Sequence, residues 1–266
     1  MVRTFAAIDV GSFELEMGIY EISEKTGVRS IDHVKHMIAL GKDTFEDGKI
    51  SYQMVEETCR VLKDFASIMK GYQVNEYRAY ATTAMREAKN SQIVLEQIRV
   101  RTGIQVKVLS NSEQRFIRYK AIAIKASEFQ KTIQKGTAIA DVGFGSMQAS
   151  VFDKDSLIST QNLPLGVLKL RQILTHAKLS AQAEQSLVME LIDNELLTFR
   201  KMYLKDREIK HLIAIGDPIL TMYYKLNGIT RSDRLTAEKF NSFFEWMRTK
   251  TRAQLEDAFD VNGEYA

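Results

Sequence analysis

Apolar positions along the chain fall into short runs and longer periodic stripes, which together predict strands and helices in alternation. Residues 3–21 read as two strands joined by a turn at Gly11-Ser12, and residues 29–38 as a third strand after the break at Thr26-Gly27. Leu40-Gly41-Lys42-Asp43 interrupts the pattern. Ser51 is the expected N-cap of a helix running to Lys70, with Gly71 as its stop. Met54, Val55, Val61, Leu62, Phe65, Ile68 and Met69 give that helix a core-facing stripe. Glu76–Ala81 predicts a strand, residues 82–90 a polar loop, and Ser91–Thr102 a helix closed by Gly103. After a strand at residues 105–109, Ser110 and Glu113 form a capping box that opens a helix to about Ala126.

The second half repeats the scheme. Thr137–Val142 and residues 147–152 predict two strands around Gly143-Phe144-Gly145-Ser146, with a further strand at residues 157–161. Pro164 and Gly166 mark a bend before a helix, residues 180–203 form a long amphipathic helix, and His211–Ile215 is a strand. Gly216-Asp217-Pro218 reads as a sharp turn into another helix, and residues 235–259 as largely helical. An antiparallel hairpin followed by alternating strands and helices, twice over, predicts an α/β fold with a mixed sheet in each half. The polar stretch at residues 126–135 sets the boundary, giving expected domains at residues 1–126 and 127–266.

The two hairpins carry the candidate chemistry. Asp9-Val10-Gly11-Ser12 and Asp141-Val142-Gly143 each put an aspartate at a strand end and small residues in the turn. Glycine lets the backbone approach an anion closely, and successive N–H groups form a concave nest. An aspartate beside such a turn can hold Mg²⁺ against phosphate, directly or through water. Each loop alone also matches an ordinary hairpin turn. Repetition at a domain-sized interval points instead to two similar halves facing each other across a cleft. Arg86 follows a strand, where open α/β sheets bind ligands, and its planar guanidinium suits phosphate; a solvated loop arginine is the plain alternative. Glu113 fits the cap, and Gln114 follows it in the first turn of its helix.

Composition narrows the classes. The 266 residues are 45% hydrophobic, enough for a real core, and 37 basic against 34 acidic residues leave a net charge of +3. That balance does not mark a general nucleic-acid binder. Cys59 is the only cysteine, which excludes an intramolecular disulfide and a cysteine metal cluster; it lies on the apolar side of its helix. His176 has no partner at a metal-ligand spacing and reads as a surface or half-buried histidine. The chain starts as a charged strand, and no apolar run approaches membrane-spanning length, so a cytoplasmic protein with no membrane partner is expected.

Five segments match a known family in order and spacing over roughly residues 5 to 220. They are AAIDVGS at residues 6–12, ATTAMREAKN at 81–90, LSNSEQ at 109–114, IADVGFGS at 139–146 and LPLGVLKL at 163–170. The sequence resembles the exopolyphosphatase/guanosine pentaphosphate phosphatase family, within the actin, heat-shock ATPase and sugar-kinase superfamily. That resemblance implies two RNase H-like domains and Mg²⁺-assisted hydrolysis of terminal phosphate from polyphosphate or guanosine pentaphosphate. It also makes a homodimer plausible. Carried over by position, Asp9 and Asp141 would face metal and phosphate, with Asp141 catalytic. Gly11, Ser12, Gly143, Gly145 and Ser146 would form the phosphate loops, and Arg86 would clamp the phosphates. The chain stops before the family's closing strand and helix, as expected for a piece of a longer protein.

Departures from the family pattern bear on the reaction. Where the family has its catalytic glutamate this chain has Gln114, with Glu113 just before it, and a second acidic position is Gln148. A triple glycine has become Gly143-Phe144-Gly145, and an Asn-Ser pair after the first loop is Phe13-Glu14. An amide keeps the shape of a carboxylate but takes no proton at neutral pH, and a lost general base costs ~10²–10⁴ in rate. Losing the charge at Gln148 would weaken Mg²⁺ binding, while neutral positions favour a bound polyanion. Three readings follow. One is a phosphohydrolase whose base is Glu113, Glu14 or Asp141. The second is an inactive polyphosphate- or alarmone-binding regulator. The third is a nucleotide-dependent kinase or ATPase of the same superfamily, disfavoured by the lack of a Gly-Gly adenosine turn.

Overall fold

The computed structural model describes all residues except 1, 26, 126–132, 134–135, 178, 206, 217–218, 220–222, 224–234 and 260–266. The expected boundary after residue 126 and the expected turn at Asp217-Pro218 lie outside the described residues.

Two sheets repeat one plan. The first comprises β1 (Val2–Val10), β2 (Glu14–Ser23), β3 (Gly27–Met37), β4 (Glu76–Ala81) and β5 (Val106–Val108), in the order β3-β2-β1-β4-β5. The second comprises β6 (Thr137–Val142), β7 (Met147–Asp153), β8 (Ser156–Leu163) and β9 (His211–Ile215), in the order β8-β7-β6-β9. In each, an antiparallel meander leads, and a later strand returns parallel to the first: β4 beside β1, β9 beside β6. This is the two-part, mixed-sheet α/β architecture that the alternation of elements predicts.

The first sheet buries one face. Ala6, Ile8 and Val10 stand opposite Ile19, Met17 and Leu15, and all six are buried. Against them pack α2 (Tyr52–Gly71), through Val55, Cys59, Leu62 and Phe65, and α4 (Ser91–Thr102), through Val94 and Ile98. Full burial of a side chain such as Phe65 contributes about 1.5–3 kcal/mol. Because side chains alternate along a strand, Asp9 falls on the opposite face, across from Glu16 and Tyr80. Ser51 caps α2 by accepting from the Met54 N–H, and Gly103 ends α4 in a left-handed conformation.

Both faces of the second sheet are covered. On one, Ala149, Val151 and Leu163 meet Phe199 and Leu196 of α7 (Ala181–Phe199), which continues into a π-turn at Arg200–Leu204. On the other, Ile139 and Phe152 meet Tyr119 and Ile122 of α5 (Asn111–Lys125). The Tyr119 hydroxyl donates to Ser150 Oγ, and its ring meets Phe152 edge-on at 5.3 Å. Helix α5 thus follows the first sheet in sequence and packs on the second. Further on lie α6 (Val167–Ala177), α8 (Ala237–Arg248) and α9 (Arg252–Phe259).

Two short helices stand where the pattern shows no helix. The break at residues 40–43 opens α1 (Leu40–Asp47), and the polar loop contains α3 (Thr83–Glu87). Neither has a side-chain cap of its own: Ala39 and Thr82 make no capping hydrogen bond. Contacts from the first hairpin substitute. Phe13 O accepts from the Ile38 and Ala39 N–H groups, Ser12 O accepts from Gly41 N–H, and Ser12 Oγ accepts from Ala84 N–H at 3.2 Å. A cap that arrives from a distant strand leaves no local sequence signal.

Candidate functional site

The two aspartate–glycine turns have the same closure. Gly11 N–H donates to Glu14 O at 2.9 Å, and Gly143 N–H donates to Ser146 O at 3.0 Å. The turns come from different sheets and touch each other. A Cβ on Gly145 would lie 2.6 Å from Ser12 Oγ and 2.8 Å from Thr83 Cβ, so only glycine admits this approach. Beside it the Thr83 and Ser146 hydroxyls are hydrogen-bonded at 3.1 Å, buried, one from each half. Phe13 and Phe144, the third residue of one turn and the second of the other, meet as a tilted ring pair between the halves with Leu168. Nearby, Lys169 of α6 pairs with Glu87 of α3 at 2.7 Å and lies over the Phe45 ring.

Arg86 lies beside this contact. Its Nη1 donates to Leu109 O at 2.8 Å and its Nη2 to Thr83 Oγ1 at 3.0 Å, while Gln114 Oε1 lies 3.5 Å from Nη1. Among the described residues no carboxylate forms an ion pair with it. Half-buried, it is held by a carbonyl and a hydroxyl, and burial lowers its pKa from the usual arginine value. A guanidinium fixed by neutral acceptors keeps its charge available for an anion.

Glu113 and Gln114 part company on α5. Glu113 Oε2 accepts from the Ser110 N–H and hydroxyl, and Oε1 accepts from Lys107 Nζ at 2.7 Å. The Lys107 ammonium and the Ser110 donors hold its carboxyl down to about 2, so it is a poor proton acceptor. Gln114, not Glu113, is the neighbour of Arg86. Glu14, the other candidate base beside the first turn, is buried and paired with Lys35 at 3.0 Å.

Asp9 is half-buried one residue before the end of β1, and Asp141 sits near the end of β6 with 8% of its surface exposed. Burial pushes the Asp141 carboxyl up, and the Arg118 guanidinium opposes this. Arg118 Nε lies 3.3 Å from Asp141 Oδ2, an ion pair without hydrogen-bond alignment. Directly across from Asp141 on β7 is Gln148, 3% exposed, and across from Gln148 on β8 is Asn162. Neither amide atom of Gln148 has a partner among the described residues, nor has Asn162 Oδ1.

Reading the sequence did not single out Arg118 or Thr83. Arg118 lies four residues beyond Gln114, so the two share one face of α5. The capping box that sets the start of α5 sets that face as well. A separate recess of about 400 Å³ between the halves, lined by Phe45, Glu87, Leu165, Lys169 and Ile173 among others, contains none of the predicted loop or aspartate residues.

The donor set fits magnesium poorly at Asp141. Mg²⁺ takes near-octahedral oxygen ligands, with one or two carboxylates supplementing phosphate oxygens and water. Here a guanidinium already faces the Asp141 carboxylate, and its cross-strand neighbour is an amide. Among the described residues no group of three or more His, Cys, Asp or Glu side chains is placed to hold a metal. His176 is exposed on α6, Cys59 is buried in the core, and no described helix is long and apolar enough to cross a membrane.

Comparison with known proteins agrees with the fold. A Ppx/GppA family member of Aquifex aeolicus superposes with a TM-score of 0.73 at 21% identity, covering 98% of this chain and 83% of that one. An exopolyphosphatase from Cytophaga hutchinsonii superposes with a TM-score of 0.82 at 18% identity, covering 98% and 84%. Exopolyphosphatase 1 of Mycobacterium tuberculosis is 24% identical over 163 residues, 61% of this chain and 46% of its own length. The guanosine-5'-triphosphate,3'-diphosphate pyrophosphatase of Photobacterium profundum is 25% identical over 159 residues, 58% of this chain and 31% of its own. The chain thus spans about a third to a half of the length of these two curated relatives. The family profile itself, described as the Ppx/GppA phosphatase family, matches residues 19–264, and the chain therefore belongs to that family.

Proposed function

We infer that the cleft between the two halves binds a chain of phosphates, as polyphosphate or guanosine pentaphosphate, and hydrolyses its terminal phosphoanhydride slowly. In that reaction a water oxygen bonds to the terminal phosphorus, the bridging P–O bond breaks, and inorganic phosphate leaves a chain shortened by one unit. Arg86 would bind phosphate oxygens, and the turns at Gly11-Ser12 and Gly143–Ser146 would line the chain. The observation that supports the reading is the 3.5 Å approach of Arg86 Nη1 to Gln114 Oε1: a guanidinium suited to phosphate stands beside an amide, where the family resemblance would put the base. Transfer to water needs an oriented nucleophile, and an amide orients it without accepting its proton.

One observation favours a faster enzyme. Asp141 is buried, and burial raises its carboxyl, which makes it a better proton acceptor than Glu113. Phosphate release from long-chain polyphosphate and from guanosine pentaphosphate, beside binding of both, tests these readings. Tight binding with slow release supports the first. Rapid release abolished by Asp141→Asn supports Asp141 as base. Failure to bind either polyanion, or turnover of ATP alone, overturns both.

A further inference from the structure

We propose that this chain holds its phosphate ligand without a divalent cation, with the Arg118 guanidinium supplying the positive charge beside Asp141. The inference rests on the reading of the cleft as a phosphate-chain site, and goes beyond it in naming what neutralises the anion.

Three observations converge. First, Asp141 is already engaged: Arg118 Nε stands 3.3 Å from its Oδ2. A metal ion taking that oxygen would have to displace the guanidinium or sit against a like charge. Second, the residue across the sheet is the neutral, almost fully buried Gln148, so this strand pair offers one carboxylate where a cation would be held better by two. Third, Arg118 and Arg86 are linked through one helix face. Arg86 reaches Gln114, and Arg118 lies four residues further along α5, about 6 Å along the axis. Through Gln114, Arg86 meets the helix face that also carries Arg118, so two guanidinium groups serve one face of α5.

The chemistry suits the role. Arg118 approaches Asp141 through Nε, and its side chain keeps 42% of its surface exposed, so donors remain open to a ligand. Asp141 then acts as the residue that positions Arg118. Gln148 is neutral, so a phosphate held by Arg118 meets no second carboxylate repulsion from across the sheet.

The test is calorimetric binding of inorganic tripolyphosphate to the protein, in EDTA and in Mg²⁺. The expected result is an affinity in EDTA equal to or tighter than that in Mg²⁺, because Mg²⁺ neutralises the polyanion that the guanidinium groups attract. Arg118→Gln is expected to weaken binding in EDTA by about tenfold or more, the scale of a lost charge-assisted contact. Arg118→Lys, which keeps the charge and loses the fork, should fall between the two. Gln148→Glu combined with Arg118→Gln should make binding depend on Mg²⁺. Binding by the unaltered protein only when Mg²⁺ is present overturns this inference and leaves the phosphate-chain reading standing. An Arg118→Gln protein that binds in EDTA as the unaltered one does also overturns it. No binding in either buffer, with guanosine pentaphosphate failing as well, overturns both.

Discussion

The rings of Phe13 and Phe144 lie 4.5 Å apart, centroid to centroid, and each belongs to the glycine turn of a different half. At both positions the family resemblance leads one to expect small or polar residues. In the fold the two rings meet: the aromatic pair, with Leu168, closes the contact between the halves. The buried Thr83–Ser146 hydroxyl pair lies beside it.

Truncating Phe144 should therefore loosen the junction. Phe144→Ala is expected to cost about 3 kcal/mol in urea unfolding, in the range of buried Phe→Ala changes. A double-mutant cycle with Phe13→Leu should return a coupling of about 0.5–1.5 kcal/mol, as for other aromatic pairs. Additive effects would show that the two rings act independently.

The cap at Glu113 makes a pH-dependent contribution to α5. Its carboxyl is lowered from 4.5 to about 2 in the fold. A lowered carboxyl stabilises the folded state above its unfolded pKa, and that contribution fades as pH falls from 4.5 toward 2. Glu113→Gln should flatten the acid limb of the stability curve across that interval, followed by circular dichroism. An unchanged acid limb would mean the carboxyl titrates normally.

Restoring the carboxylate one residue on should change the chemistry instead. Gln114→Glu is expected to raise phosphate release by about 10²–10⁴, the usual contribution of a positioned general base. Its expected signature is a rise in kcat with KM little altered, read from initial rates on polyphosphate. No rise would show that this position does not face the attacking water.

Arg86→Lys should weaken polyphosphate binding even though charge is kept. Lysine has no planar fork to bridge Leu109 O and Thr83 Oγ1 while facing an anion. A loss of about tenfold in affinity is expected, and the slope of binding against salt should change little. Equal affinity would place the ligand away from Arg86.

Much of this arrangement is written locally in the chain. The strands on either side of Gly11 and Gly143, the stripe of α2, the stop at Gly103 and the Ser110–Glu113 box follow from side-chain alternation, helical periodicity and capping, each a relation between near neighbours. The repeated aspartate–glycine turn announces two similar halves for the same reason. Tertiary structure decided the rest. Helices α1 and α3 are held by Phe13 O and Ser12 Oγ, atoms far away in sequence. Only the packing of α5 on the second sheet brings Arg118 to Asp141, and only the meeting of the turns joins Phe13 to Phe144. Local physics fixes periodicity and turns; which side chains from separate halves come together depends on how the two sheets pack.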